Sequence, residues 1–193
     1  MIYFTADLHL GHKSVIKFCN RPFKTVEEMD ETLITKWNSK VKKNDLVYVL
    51  GDMVWQKKEP KNYLSRLNGR KILIVGNHDK RIVREGNEAF FEKISKFEEV
   101  SLNGHQLTLC HYPMLEWKNS RKVGTNKLGY LIHGHTHNNV RNEYAFLFRH
   151  PNALNAGVDV NAFEPVTFEE LVVNNENFSK KALLKLKDGN ICQ

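Results

Sequence analysis

Residues 1–9 read Met1-Ile2-Tyr3-Phe4-Thr5-Ala6-Asp7-Leu8-His9. The run up to Ala6 is apolar and rich in β-forming residues, so it reads as a short buried strand. Asp7 and His9 follow two positions apart, which in extended chain points both side chains the same way. A carboxylate beside an imidazole makes a hard/borderline donor pair for a divalent metal. The pattern then recurs along the chain. Leu46-Val47-Tyr48-Val49-Leu50 runs into Gly51-Asp52, and Ile72-Leu73-Ile74-Val75 into Gly76-Asn77-His78-Asp79. Leu107-Thr108-Leu109-Cys110 runs into His111, and Tyr130-Leu131-Ile132 into His133-Gly134-His135-Thr136-His137. Five apolar runs that end in Asp, Asn or His predict an α/β fold with its site at the strand ends.

The segments between these runs supply the other layers. Thr25-Val26-Glu27-Glu28 is a capping box, and Val26, Met29, Leu33, Ile34 and Trp37 recur at helical spacing. This predicts a structural helix over the sheet, with Lys36, Lys40, Lys42 and Lys43 at its solvated end. Asn103-Gly104 between two strand-like runs predicts a hairpin with a type I′ turn. Thr167 to Glu170 forms a second capping box, with Val166 and Leu171 placed as a hydrophobic staple. The tail from about Asn174 is expected to be a peripheral strand or helix without a catalytic role. Residues 117–127 carry Trp117, Lys118, Arg121, Lys122 and Lys127 among polar residues. They read as a basic loop near the mouth of the site, with an aromatic and cations suited to a nucleotide or a nucleic-acid strand.

At 193 residues, with 41% hydrophobic and 26% charged residues, the chain is expected to form one globular domain over residues 1–193. No apolar run approaches a membrane span, and the N-terminal run is too short for a signal peptide, so a cytoplasmic location is expected. Cys19, Cys110 and Cys192 show no paired spacing and read as free thiols in a reducing compartment. With 29 Lys+Arg against 22 Asp+Glu, the net charge of +7 favours polyanionic or phosphorylated partners.

In this order, D-x-H (7–9), G-D (51–52), G-N-H-D (76–79), His111 and G-H-x-H (134–137) resemble the signature of the calcineurin-like metallophosphoesterases. The flanks Phe18-Cys19-Asn20-Arg21-Pro22-Phe23 and Asn155-Ala156-Gly157-Val158-Asp159, leading to Pro165-Val166, resemble a small bacterial and phage-borne branch. Asp52 is followed by Met53-Val54-Trp55 where the Ser/Thr protein phosphatases have D-R-G, which argues against that branch.

The resemblance implies an α/β fold, a two-layer β-sandwich of mixed sheets flanked by helices. It implies two divalent metal ions, one on Asp7, His9, Asp52 and His137, the other on Asp52, Asn77, His111 and His135, with Asp52 bridging. Oxygen and nitrogen ligands without thiolate suit Mn²⁺, with Fe or Zn²⁺ as alternatives. It implies phosphoester hydrolysis, a metal-bridging hydroxide attacking phosphorus in line with the leaving oxygen.

His78 matches the family histidine that stabilises charge or protonates the leaving group, so His78 and Asp52 are the expected catalytic residues. Asp79 is expected to orient His78, and His133 to be a structural core histidine. His12, Arg21 and Asn77 are expected to meet the substrate phosphate, Arg21 through its planar donor fork. A chain too short for a large cap suits phosphodiesters over phosphomonoesters, and a basic rim suits nucleotide or nucleic-acid substrates. The competing reading is a non-catalytic binding module on the same fold, which the intact ligand set disfavours.

Overall fold

A computed structural model describes residues 1–84, 86–121 and 128–188. Its first sheet contains β1 (Ile2–Thr5), β2 (Leu46–Val49), β3 (Arg70–Ile74) and β4 (Lys93–Ser95), in that spatial order. All three pairings are parallel. The second sheet contains β5 (Phe97–Leu102), β6 (His105–Cys110), β7 (Gly129–His133) and β8 (Ala153–Asn155). There β5 and β6 are antiparallel and the other pairs parallel. Two four-stranded sheets flanked by helices bear out the expected sandwich; the strand pairings of the first sheet are parallel and those of the second are mixed. The links between β1, β2, β3 and β4 are long crossovers, and crossovers bring the chain back parallel.

Alternate residues of the first sheet face different layers, as a pleated strand requires. Phe4, Tyr48, Ile72 and Ile74 pack with Leu107, Leu109, Ile132 and Leu154 of the second sheet. Tyr3, Val47, Val49 and Leu73 point the other way, onto Met29, Leu33 and Trp37 of helix α2 (Val26–Lys40). Shorter helices α1 (Lys13–Phe18), α3 (Lys61–Leu64), α4 (Lys80–Arg84) and α5 (Ala145–Arg149) fill the links.

Helix α6 (Phe168–Lys187) is the tail; its capping box is complete, and Val166 and Leu171 share one apolar cluster. At α2 only half the box forms: Thr25 accepts from the Glu28 amide, while the Glu28 carboxylate accepts from Lys24. Asn103 and Gly104 both have positive φ, at 48° and 82°, as the type I′ turn demands. No described helix is long and apolar enough to cross a membrane.

The 117–127 segment differs from its expected role where it is described. Trp117 is buried with Leu131, Leu147 and Ala153, and its indole N–H donates to the Gly129 carbonyl at 2.9 Å. Lys118 pairs with Glu99 at 2.6 Å, and Arg121 pairs with Glu116. Lys122 and Lys127 lie outside the described residues, as does Cys192.

Candidate metal centre

The C-terminal ends of β1, β2, β3, β6 and β7 meet at one edge of the sandwich, and each delivers its polar residues there. The backbone does this in a costly conformation. Asp7 (57°), His9 (52°), Asp52 (55°), His135 (69°) and His137 (49°) all have left-handed φ. Asp7 and His9 therefore converge through two left-handed kinks rather than through extended chain. The first two loops are stitched together, with Asp7 N–H donating to Gly51 O and His9 N–H to Asp52 O, both at 3.0 Å. The third loop must come close as well. A Cβ at Gly76 would lie 2.7 Å from the Asp52 nitrogen, which leaves room for glycine alone.

Two clusters of ligand atoms result. Asp7, His9 and His137 bring one ligand atom each to within 4.8 Å of one another, and so do Asp52, His111 and His135. Asp52 Oδ2 lies between the clusters, 3.5 Å from His9 Nε2 and 3.6 Å from His111 Nε2. Asn77 Oδ1 is 3.1 Å from His111 Nε2. The structure thus gathers all seven residues expected as ligands.

Their chemistry fits divalent cations. Asp7 Oδ1 and His9 Nε2 are buried without a hydrogen-bond partner, although buried polar atoms are normally partnered. Burial pushes the Asp7 carboxyl up to about 7, and burial lowers His9, His111 and His135. Neutral imidazoles are the ligating form, and a cation offsets the cost of the buried carboxylate.

A buried charged network supports the first cluster. His137 Nδ1 lies 2.8 Å from Asp159 Oδ2, and Asp159 also accepts from Arg21 Nε at 2.8 Å and Nη2 at 3.0 Å. Burial favours a neutral Asp159, yet the hydrogen bonds from His137 and Arg21 hold its carboxyl below the ordinary value. Burial likewise pulls His137 down, but the Asp159 hydrogen bond and nearby carboxylates raise it to about 11.

Arg21 does not face the cleft, contrary to its expected phosphate role. It is 4% exposed, and its remaining N–H groups donate to Leu8 O, Asp7 O and Met29 Sδ. Sequence reading assigned Asp159 no role. It lies 22 residues beyond His137, and its signal in the sequence was its place at the end of the Asn155–Asp159 flank that carries the resemblance to the branch.

The second cluster rests on backbone. His111 Nδ1 bonds the Leu50 carbonyl at 2.7 Å, which leaves Nε2 for the site. Asp79 is fully buried and accepts the amides of Asp52, Met53 and Gly76 at 2.8–2.9 Å. It therefore fixes two ligand loops and does not orient His78. His78 anchors by donating its amide to Asp52 Oδ1 at 2.8 Å, with its ring Nε2 4.0 Å from Asp52 Oδ2. His12 stacks flat on Trp55, ring centroids 3.6 Å apart, beside His9. His12, Asn77 and His78 all line an open cleft of about 790 Å³. His133 is buried, with Nδ1 bonded to Gly134 O, the structural role expected of it.

A family model, the calcineurin-like phosphoesterase superfamily domain, matches residues 2–162. The uncharacterized protein MJ1445 of Methanocaldococcus jannaschii is 38% identical over 174 residues, which cover 89% of each chain. The Gene 66 protein of Mycobacterium phage L5 is 34% identical over 161 residues, covering 70% of this chain and 76% of the phage protein. Among solved structures, AQ665 of Aquifex aeolicus, a protein of unknown function, matches with a TM-score of 0.69 at 29% identity. That match covers 88% of this chain and 96% of the other.

Proposed function

Because the chain belongs to the calcineurin-like phosphoesterase superfamily of metal-dependent phosphoester hydrolases, we propose that it is a phosphodiesterase with two divalent cations. Asp7, His9, Asp52 and His137 hold one cation; Asp52, Asn77, His111 and His135 hold the other. The observation that carries this reading is the placement of Asp52 Oδ2, almost equally far from His9 and His111 of the two clusters. Oxygen and nitrogen donors favour Mn²⁺, with Fe or Zn²⁺ as alternatives. Cys19 groups with His137 and Asp159, but Asp159 already commits both oxygens to Arg21 and His137.

Bound cations supply phosphoryl charge neutralisation and acidify water. The chain's own groups do the rest. Asp52 holds the His78 loop through its other oxygen, so one carboxylate sets both the ligand geometry and the catalytic histidine. The His78 ring faces the cleft and donates its proton to the leaving oxygen. His12, held flat by Trp55, contacts the phosphate from the side of His9. The cleft's openness supports a diester, whose second ester group needs room that a monoester does not.

Three measurements test this reading. Mn²⁺-loaded protein should turn over bis-p-nitrophenyl phosphate with a higher kcat/KM than p-nitrophenyl phosphate, and elemental analysis should find two metals per chain. Absence of turnover with Mn²⁺, Fe²⁺ and Zn²⁺ overturns it. His78→Ala should keep both metals and lose about 10²–10⁴-fold on alkyl or nucleotide esters. It should lose less on p-nitrophenyl esters, whose leaving group departs without a proton. An equal loss across leaving groups of graded pKa removes His78 as the proton donor.

A further inference from the structure

The centre opens into two clefts. The first, of about 790 Å³, lies on the side of His9, His12 and His137. The second, of about 520 Å³, lies between Gly76, His111, Tyr112 and helix α4. Asn77 lines the first and His111 the second, and these two side chains are 3.1 Å apart, so the clefts meet at the metal centre.

The walls share one chemistry. Lys17, Arg141 and Lys185 line the first cleft; Lys80, Arg84 and Lys96 line the second. All six are exposed, and among the described residues none stands in an ion pair. Among the described residues, the only acid lining either cleft is Asp52, a proposed metal ligand. By contrast, Arg66, Arg70, Lys93 and Lys118 are each neutralised by a glutamate.

Each cleft also carries an exposed aromatic. Phe18 is 71% exposed in the first and Tyr112 is 47% exposed in the second. From Phe18 a line of rings, His12, Trp55 and His78, leads into the centre. On the other side Tyr112 packs 4.7 Å from the His135 ring. Unpaired cations with sequence-blind stacking faces are the chemistry that holds single-stranded nucleic acid.

We propose that a single-stranded polynucleotide lies across the metal centre with one flank in each cleft, so that the bond cut is internal. A base stacks on Phe18 on one side and on Tyr112 on the other, while the six cations follow the backbone phosphates. In hydrolysis one water is consumed. Its OH bonds to phosphorus, the P–O bond to one strand breaks, that strand leaves as a hydroxyl carrying the proton from His78, and the water's other proton restores His78. This deepens the phosphodiesterase reading and rests on it for the chemistry, but binding is tested without chemistry.

The probe is a fluorescein-labelled oligothymidylate titrated with chelator-treated, full-length protein and followed by anisotropy. Phe18→Ala and Tyr112→Ala should each weaken binding roughly five- to a hundredfold. Replacing Lys80 and Arg84 together by Glu should weaken it further and flatten its salt dependence. Lys43→Glu, before β2 at the opposite end of the sheet, should change nothing. Binding that depends on Phe18 but not on Tyr112, Lys80 or Arg84 means a one-cleft mononucleotide ligand and overturns the proposal. So does undetectable binding, or an equal loss in Lys43→Glu. Turnover of bis-p-nitrophenyl phosphate by the unaltered Mn²⁺-loaded protein is read separately. Turnover without oligonucleotide binding removes the two-cleft polynucleotide and leaves the phosphodiesterase intact.

Discussion

The Asp7, His9 and His137 cluster is held by buried charge, whereas the Asp52, His111 and His135 cluster is held by backbone. Behind the first stand Asp159 and Arg21, both buried. Behind the second stand the Leu50 carbonyl and three amides gathered on Asp79. The difference sets how each cluster fails. Removing one member of a buried ion pair strands a charge, at about 3–5 kcal/mol. Removing an acceptor leaves unpaired donors, at about 1–3 kcal/mol.

Asp52 Oδ2 lies 3.5 Å from His9 of one cluster and 3.6 Å from His111 of the other, and in the proposed centre it serves both cations, so Asp52→Asn should have the largest effect. Activity should fall beyond the roughly 10–100-fold typical of losing an orienting partner, and metal analysis should show depletion at both positions. Two metals per chain with normal turnover would break the shared role. Next comes Asp159→Asn, which removes the charge facing both Arg21 and His137. Metal affinity should drop roughly 10–100-fold. The chelated protein should melt roughly 6–20 °C lower, a span that combines the buried-pair cost with about 2–4 °C per kcal/mol for a chain of this size. Scanning calorimetry and competition with a chromophoric chelator read the two effects.

Asp79→Asn should cost less, about 1–3 kcal/mol, because only backbone donors lose their acceptor. A larger loss there than at Asp159 would reverse the contrast. The smallest effect belongs to the charge reversal Lys118→Glu with Arg121→Glu. Both cations sit in exposed surface pairs, typically worth 0–1 kcal/mol. KM for a nucleotide ester should not move; a clear rise would return this loop to the mouth of the site.

Much of this architecture was legible in the sequence, because its signals are local. Each ligand follows an apolar run, α2 and α6 announce themselves by capping residues, and Asn103-Gly104 writes its own turn. The supports were not legible, because they depend on distance in space. Arg21 meets Asp159 across 138 residues, and no short pattern encodes that meeting. Placed near two ligands, Arg21 read as a phosphate contact, and only burial shows it committed elsewhere. Trp117, surrounded by Lys, Asn and Ser, read as exposed, yet its indole found Gly129 and a core beneath the second sheet. Strand direction in the first sheet was equally silent, since a period of two is the same in parallel and antiparallel pairs.

The left-handed backbone at residues 7, 9, 52, 135 and 137 has a consequence for how this protein would decay. Such a conformation strains any side chain and suits glycine, with asparagine next. At these positions the ligand and the backbone therefore want different residues. A copy released from selection for hydrolysis would drift toward glycine there and become sturdier as it lost its metals. Thermal ruggedness and catalytic competence would then diverge along a lineage, at the same few sites each time.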